Sequence, residues 1–157
     1  MSSFVVHLRS GRPFLSFPDR VNAAGARLTA GLVVATAAVA GLTHARWLVA
    51  LLAADFAARA LVGPRQSPVG RLASELAPHL RLRKTTTSGA PKQMAATAGA
   101  VMLIAATVAF ARGAATLGWS LTAVLALFAS LEAVFGLCVV CRVYSLFVDC
   151  PDCVGEK

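Results

Sequence analysis

Charge is scarce in this chain. Only 14% of its 157 residues are Asp, Glu, Lys or Arg, and just seven are acidic. Aromatic residues make up 7%, with a single tyrosine and two tryptophans. No cysteine precedes Cys138. With 57% hydrophobic residues, a water-soluble domain of this size cannot bury its apolar surface while exposing so few charges. His7, His44 and His79 stand singly, without metal-ligand spacing to one another. The net charge of +8 comes with no aromatic–basic interleaving and no DNA-binding motif, so nucleic acid is not the expected partner. The basic residues lie between apolar runs, a pattern that fits anionic lipid head groups.

What is present is four apolar runs. They cover residues 28–43, 47–62, 94–111 and 119–140, each near the ~20 residues that a tilted helix needs to cross the hydrocarbon core. Short connections, His44 to Arg46 and Arg112 to Gly118, make two antiparallel hairpins. The expected fold is an all-α integral membrane protein, a four-helix transmembrane bundle of two helical hairpins with a short interfacial helix between them. The expected division is a basic cytoplasmic segment over 1–27, a four-span membrane domain over 28–148 with a cytoplasmic loop over 63–92, and a cysteine-containing tail over 149–157.

Orientation follows from Lys and Arg. Arg9, Arg12, Arg20 and Arg27 precede the first run, and Arg65, Arg71, Arg81, Arg83, Lys84 and Lys92 occupy the central segment. The tight turns carry only Arg46 and Arg112. The positive-inside rule then puts both termini and the central segment in the cytoplasm of a bacterial plasma membrane. Small residues at Ala38 to Ala40 suit a cleaved leader, but the charged stretch before Leu28 is long for one.

In the central segment Ser67 is an N-cap candidate and Pro68 a first helical residue. Val69, Leu72, Ala73 and Leu76 fall on one face and Arg71 and Glu75 on another, the pattern of a short helix on the membrane surface. "KTTTSGAPK", Lys84 to Lys92, reads as a loop. Asp55 and Arg59 share one face of the second run. Their expected role is a structural ion pair, with an ion or proton path as the alternative. Glu132, the sole acid of the fourth run, is expected to snorkel or to pair with an arginine of a neighbouring helix, with a proton acceptor for the thiols six residues on as the alternative.

All the thiol chemistry lies in "GLCVVCRVYSLFVDCPDC". The pair Cys138 and Cys141 closes the fourth run, and Cys150 and Cys153 form a second C-x-x-C pair in a polar tail. Such a pair lets one thiolate attack a disulfide while the other resolves the adduct. It also offers two sulfurs to a metal, and all four cysteines could hold zinc or iron. The eight residues between Cys141 and Cys150 are fewer than a zinc ribbon uses. As a helix they would span ~12 Å. A break at Gly136 would put the first pair at the start of a new helical segment; a continuous helix would not. Packing without chemistry is the third reading for Cys138 and Cys141.

The chain resembles a family of small bacterial membrane proteins, common in actinobacteria and catalogued as domain of unknown function 4395. Four stretches carry the resemblance: "FPDRVNAAGARLTA" (Phe17 to Ala30), "DFAARALVGPRQSPVGRLA" (Asp55 to Ala73), "GAPKQMAATAG" (Gly89 to Gly99) and "FGLCVVCRVY" (Phe135 to Tyr144). It implies a multi-span membrane protein with a functional first cysteine pair, and no assigned activity. This chain has Gln93 and Met94 where the family often has a basic–aromatic pair, and Val140 where it often has glycine. Cys150 and Cys153 lie outside the pattern.

The leading expectation is thiol redox or sulfur transfer through Cys138 and Cys141. Cys150 and Cys153 would pass equivalents to a thioredoxin-like or sulfurtransferase-like partner. The alternatives are a four-cysteine metal protein and a scaffold without chemistry, alone or as an oligomer. No other residues form a catalytic constellation, and no organic cofactor is implied.

Overall fold

The computed structural model describes residues 20–63, 67–79, 86–140, 142 and 143. The first hairpin is α1 (Ala23–Thr43) and α2 (Arg46–Val62). After α3 (Pro68–His79), the second hairpin is α4 (Gly89–Ala111) and α5 (Ala115–Phe135). Two three-residue strands, β1 (Arg20–Asn22) and β2 (Thr86–Ser88), pair antiparallel with Arg20 opposite Ser88.

That ribbon corrects the reading of Lys84 to Lys92 as a loop: Thr86–Ser88 is a strand and α4 already begins at Gly89. Three residues are too few to show a strand's two-residue alternation, and the partner lies more than sixty residues away. The long helices also overrun their apolar runs. Thus α1 starts at Ala23 rather than Leu28, and α4 at Gly89 rather than Met94. Conversely, α5 ends at Phe135, short of Val140.

The two hairpin turns are built alike. His44 and Gly113 both take positive φ, 52° and 81°. The following alanine donates five residues back in each turn, Ala45 N to Ala40 O at 3.0 Å and Ala114 N to Ala109 O at 2.9 Å. Each turn thereby reverses the chain in two or three residues while satisfying helix-end carbonyls.

Among the long helices, α2 packs on α4, α4 on α5 and α5 on α1, while α1 and α2 touch less despite their short turn. The core between them is aliphatic, centred on Val33, Val49, Leu52, Leu103 and Leu125, with Phe110 toward the turns. Gly99 lets α2 approach α4, because a Cβ there would fall 2.5 Å from the Phe56 ring. Serine and threonine hydroxyls in the long helices return to their own backbone. Thr36, Thr107 and Thr122, for example, donate to the carbonyl four residues earlier at 2.8–2.9 Å.

Among the described residues three helices are long and apolar enough to cross a membrane: Ala24–Thr43, Lys92–Ala111 and Ala115–Phe135. α2 falls outside that set, since its 17 residues span only about 26 Å and include Arg46, Asp55 and Arg59. Large apolar side chains cover the outside. Leu42 is 84% and Val134 70% exposed, and Val101 and Leu127 are exposed as well. Such a surface calls for an apolar surrounding.

Candidate functional site

Polar side chains gather where α1 and α4 begin and α2 and α5 end. Three contacts define this polar end. Lys92 of α4 forms an ion pair with Glu132 of α5. Gln93 Nε2 donates to Ala60 O in the last turn of α2 at 3.2 Å. The Arg27 guanidinium of α1 lies over Gly136, just past α5.

Beside them is a buried cluster. Arg59 Nη2 pairs with Asp55 Oδ2 one helical turn away, as their spacing of four predicts. Ser67 Oγ donates to Asp55 Oδ1 at 2.5 Å and accepts from Arg59 Nε at 3.1 Å. Ser67 also caps α3, accepting from Gly70 N at 3.0 Å, and Asp55 Oδ1 accepts from Val69 N at 3.2 Å. A hydroxyl and a carboxylate thus satisfy the amides of α3's first turn, where its dipole favours negative charge. Arg59 further sits 4.8 Å from the centre of the Phe56 ring. No buried side-chain nitrogen or oxygen among the described residues lacks a hydrogen-bond partner. The Asp55–Arg59 pair therefore reads as a packed joint, in which the two charges neutralise each other and hold Ser67 and the first turn of α3.

Sequence reasoning recognised Ser67 as a cap but not as the link to Asp55, twelve residues earlier. No periodicity joins residues on two helices across a bend. The joint also moves α3. Asp55 lies seven residues before the end of α2 at Val62, about 10 Å of helix rise. Ser67 and Val69 are held at Asp55, so α3 starts beside the middle of α2. The expected short helix is thus present as α3, with its first turn packed beside α2.

Glu132 was expected to meet an arginine; it meets Lys92 instead. With that partner it is engaged one and a half turns before Cys138. At Gly136 α5 stops. The residue is left-handed, φ 67° and ψ 13°, and its N–H returns to Glu132 O at 2.9 Å. Glycine suits both demands here. A left-handed residue disfavours a side chain, and a Cβ would fall 2.6 Å from Arg27 Cζ. The guanidinium also places a cation at the carbonyl end of α5.

Cys138 follows in a non-helical stretch, half-buried. Its carbonyl accepts from Arg142 N at 3.0 Å, and the backbone is helical again at Val139, Val140, Arg142 and Val143. Cys138 therefore occupies the capping position of a resumed helical turn. Cys141, Cys150 and Cys153 lie outside the described residues, so the pairing of the thiols and the four-sulfur arrangement are not defined. Among the described residues no cluster of three or more His, Cys, Asp or Glu could hold a metal ion.

A predominantly helical protein with three apolar helices of spanning length among the described residues, and with its ion pairs gathered toward one end, has the make-up of a membrane protein. The chain belongs to the family described as Domain of unknown function (DUF4395), whose model matches residues 21–149. No curated protein and no solved structure matches the chain significantly.

Proposed function

We propose that this is a multi-pass plasma-membrane protein that carries a cytoplasmic thiol pair, Cys138 and Cys141, for exchange with a soluble thioredoxin-like or sulfurtransferase-like protein. In this reading α2 is the fourth span. Asp55 and Arg59 lie in its cytoplasmic half, neutralise each other and are hydrogen-bonded to the start of α3, while Arg46 stands at its opposite end. The four helices form two hairpins, and both termini share the cytoplasm with the central segment. The observation that carries the thiol reading is the break at Gly136. It takes Cys138 out of the long helix and sets it at the polar end, where soluble proteins reach it.

The exchange is written with its electrons. One cysteine thiolate attacks a partner disulfide, forming a mixed disulfide and releasing a partner thiolate. The second cysteine loses its proton and attacks the first cysteine's sulfur, forming the Cys138–Cys141 disulfide as the bond to the partner breaks and a second partner thiolate leaves. The pair ends oxidised, and the partner gains two electrons and becomes a dithiol on protonation. Reversal reduces the pair. Cys150 and Cys153, the second C-x-x-C pair, would relay the same equivalents.

Serine at the resolving position stops this sequence at the mixed disulfide. Cys138→Ser and Cys141→Ser are expressed separately, and adducts are identified by non-reducing electrophoresis and mass spectrometry. One variant should trap a soluble thiol protein. If neither does, and purified protein carries stoichiometric zinc with thiols protected until a chelator is added, the metal reading replaces this one. If the thiols alkylate freely with an ordinary pH profile and no metal is bound, the cysteines have only packing and tail roles.

A further inference from the structure

α3 divides its apolar face between two surroundings. The helix packs along α1, with Gly70 and Ala73 buried. Leu72 and Leu76, one turn apart, remain 47% and 37% exposed, with Arg71 and Glu75 exposed beside them. The joint at Asp55 fixes the depth of this ridge. Val69 N is held at the level of Asp55, about 10 Å below the end of α2. Whatever the tilt of α3, its rise carries Leu72 at most about 4.5 Å and Leu76 at most about 10.5 Å above Val69. Leu72 therefore lies below the end of α2, and Leu76 no higher than about level with it. The base of the same helix borders an apolar cavity of about 390 Å³, where Pro68 and Val69 meet Thr36, Leu48 and Leu51.

Charge names the occupant of that layer. Residues 63–92 contain six Lys or Arg and one acid, Glu75. Among the described residues the other acids of this end, Asp55 and Glu132, are bound to Arg59 and Lys92. An apolar ridge at helix-end depth, edged by the exposed Arg71 and belonging to a stretch of sequence rich in Lys and Arg, is complementary to an anionic lipid, which offers acyl chains below and negative phosphate above. We propose that the Leu72–Leu76 ridge of α3, with Arg71 at its edge, is a docking surface for anionic phospholipid in the leaflet at the polar end. α3 is then a re-entrant wedge that fixes this end of the protein in the membrane. The inference rests on the membrane reading and is independent of the thiols.

Site-specific photocrosslinking of the full chain tests it. Benzoylphenylalanine replaces Leu72 or Leu76, and in control proteins Leu127 on the exposed face of α5 or the buried Leu103. Each protein is placed in vesicles of equal phosphatidylglycerol and phosphatidylethanolamine, irradiated and weighed by mass spectrometry. Positions 72, 76 and 127 should give lipid adducts, and position 103 none. At positions 72 and 76 phosphatidylglycerol should be enriched about five-fold over phosphatidylethanolamine, the effect of one nearby cation, and Arg71→Gln should reduce that ratio. Adducts at 127 but not at 72 or 76 would show that α3 faces water and overturn the inference. Adducts joining two copies at 72 or 76 would overturn it in favour of an oligomer contact. Equal labelling by both lipids would overturn its charge selectivity. No lipid adduct at any position would contradict the membrane reading itself.

Discussion

At Asp55 three demands meet in one carboxylate: it neutralises Arg59, accepts from Ser67 and caps the backbone of α3. Removing one partner strands the others. Asp55→Ala or Arg59→Met alone should destabilise the protein by about 3–5 kcal/mol, the cost of leaving a buried charge unpaired. The double variant should recover much of that loss, read as the midpoint of thermal aggregation in detergent. Ser67→Ala should cost about 1–2 kcal/mol through the lost cap. Normal folding with lost function in either single variant would point instead to an ion or proton path. The spacing of Asp55 and Arg59 made their pairing legible in the sequence. The role of Ser67 was half legible, because its capping position is local and its contact with Asp55 is not. Gly136 belongs to the same scale. Gly136→Ala must adopt φ near 67° and displace Arg27, so it should cost about 1–2 kcal/mol or more and weaken the break that sets off Cys138.

Among the elements, the long apolar runs announced α1, α4 and α5 plainly, since nothing but a helix satisfies so many consecutive backbone groups without water. Their ends were less legible. Arg27 and Lys92 sit inside helices that the apolar pattern excluded, because a charged residue can occupy a helix wherever its side chain reaches a partner. The ribbon of β1 and β2 and the depth of α3 were invisible, since both depend on contacts between distant segments. The matched hairpin turns give an element-scale prediction. His44 occupies the left-handed position that Gly113 fills in the second turn. Gly113→Ala should therefore lower stability by about 1 kcal/mol. His44→Gly should be neutral or stabilising, offset by loss of the ring contact with Trp119, whose centroid is 6.0 Å away. Thermal shifts of the same sign for both variants would show that the turns are not equivalent.

For the whole molecule, class and architecture were more legible than chemistry. Composition and periodicity specify helices that need an apolar surrounding, and the resemblance read from four stretches is matched by the family over residues 21–149. The thiol site rests on Cys138 and Cys141, of which only Cys138 lies among the described residues, and spacing favours redox while leaving metal chemistry as the alternative. The claim on which the rest depends is that α2 crosses the membrane as a fourth span and places the polar end in the cytoplasm. Reporter fusions decide it. Alkaline phosphatase, active only outside the cytoplasm, and a fluorescent protein, active only inside, are each joined after Ala45, Leu76, Gly113 and Lys157. The account predicts phosphatase activity at Ala45 and Gly113 and fluorescence at Leu76 and Lys157. Phosphatase activity at both Ala45 and Leu76, or fluorescence at both, would show that α2 does not cross. Phosphatase activity at Lys157 would put the cysteines on the oxidising side and contradict the cytoplasmic thiol site.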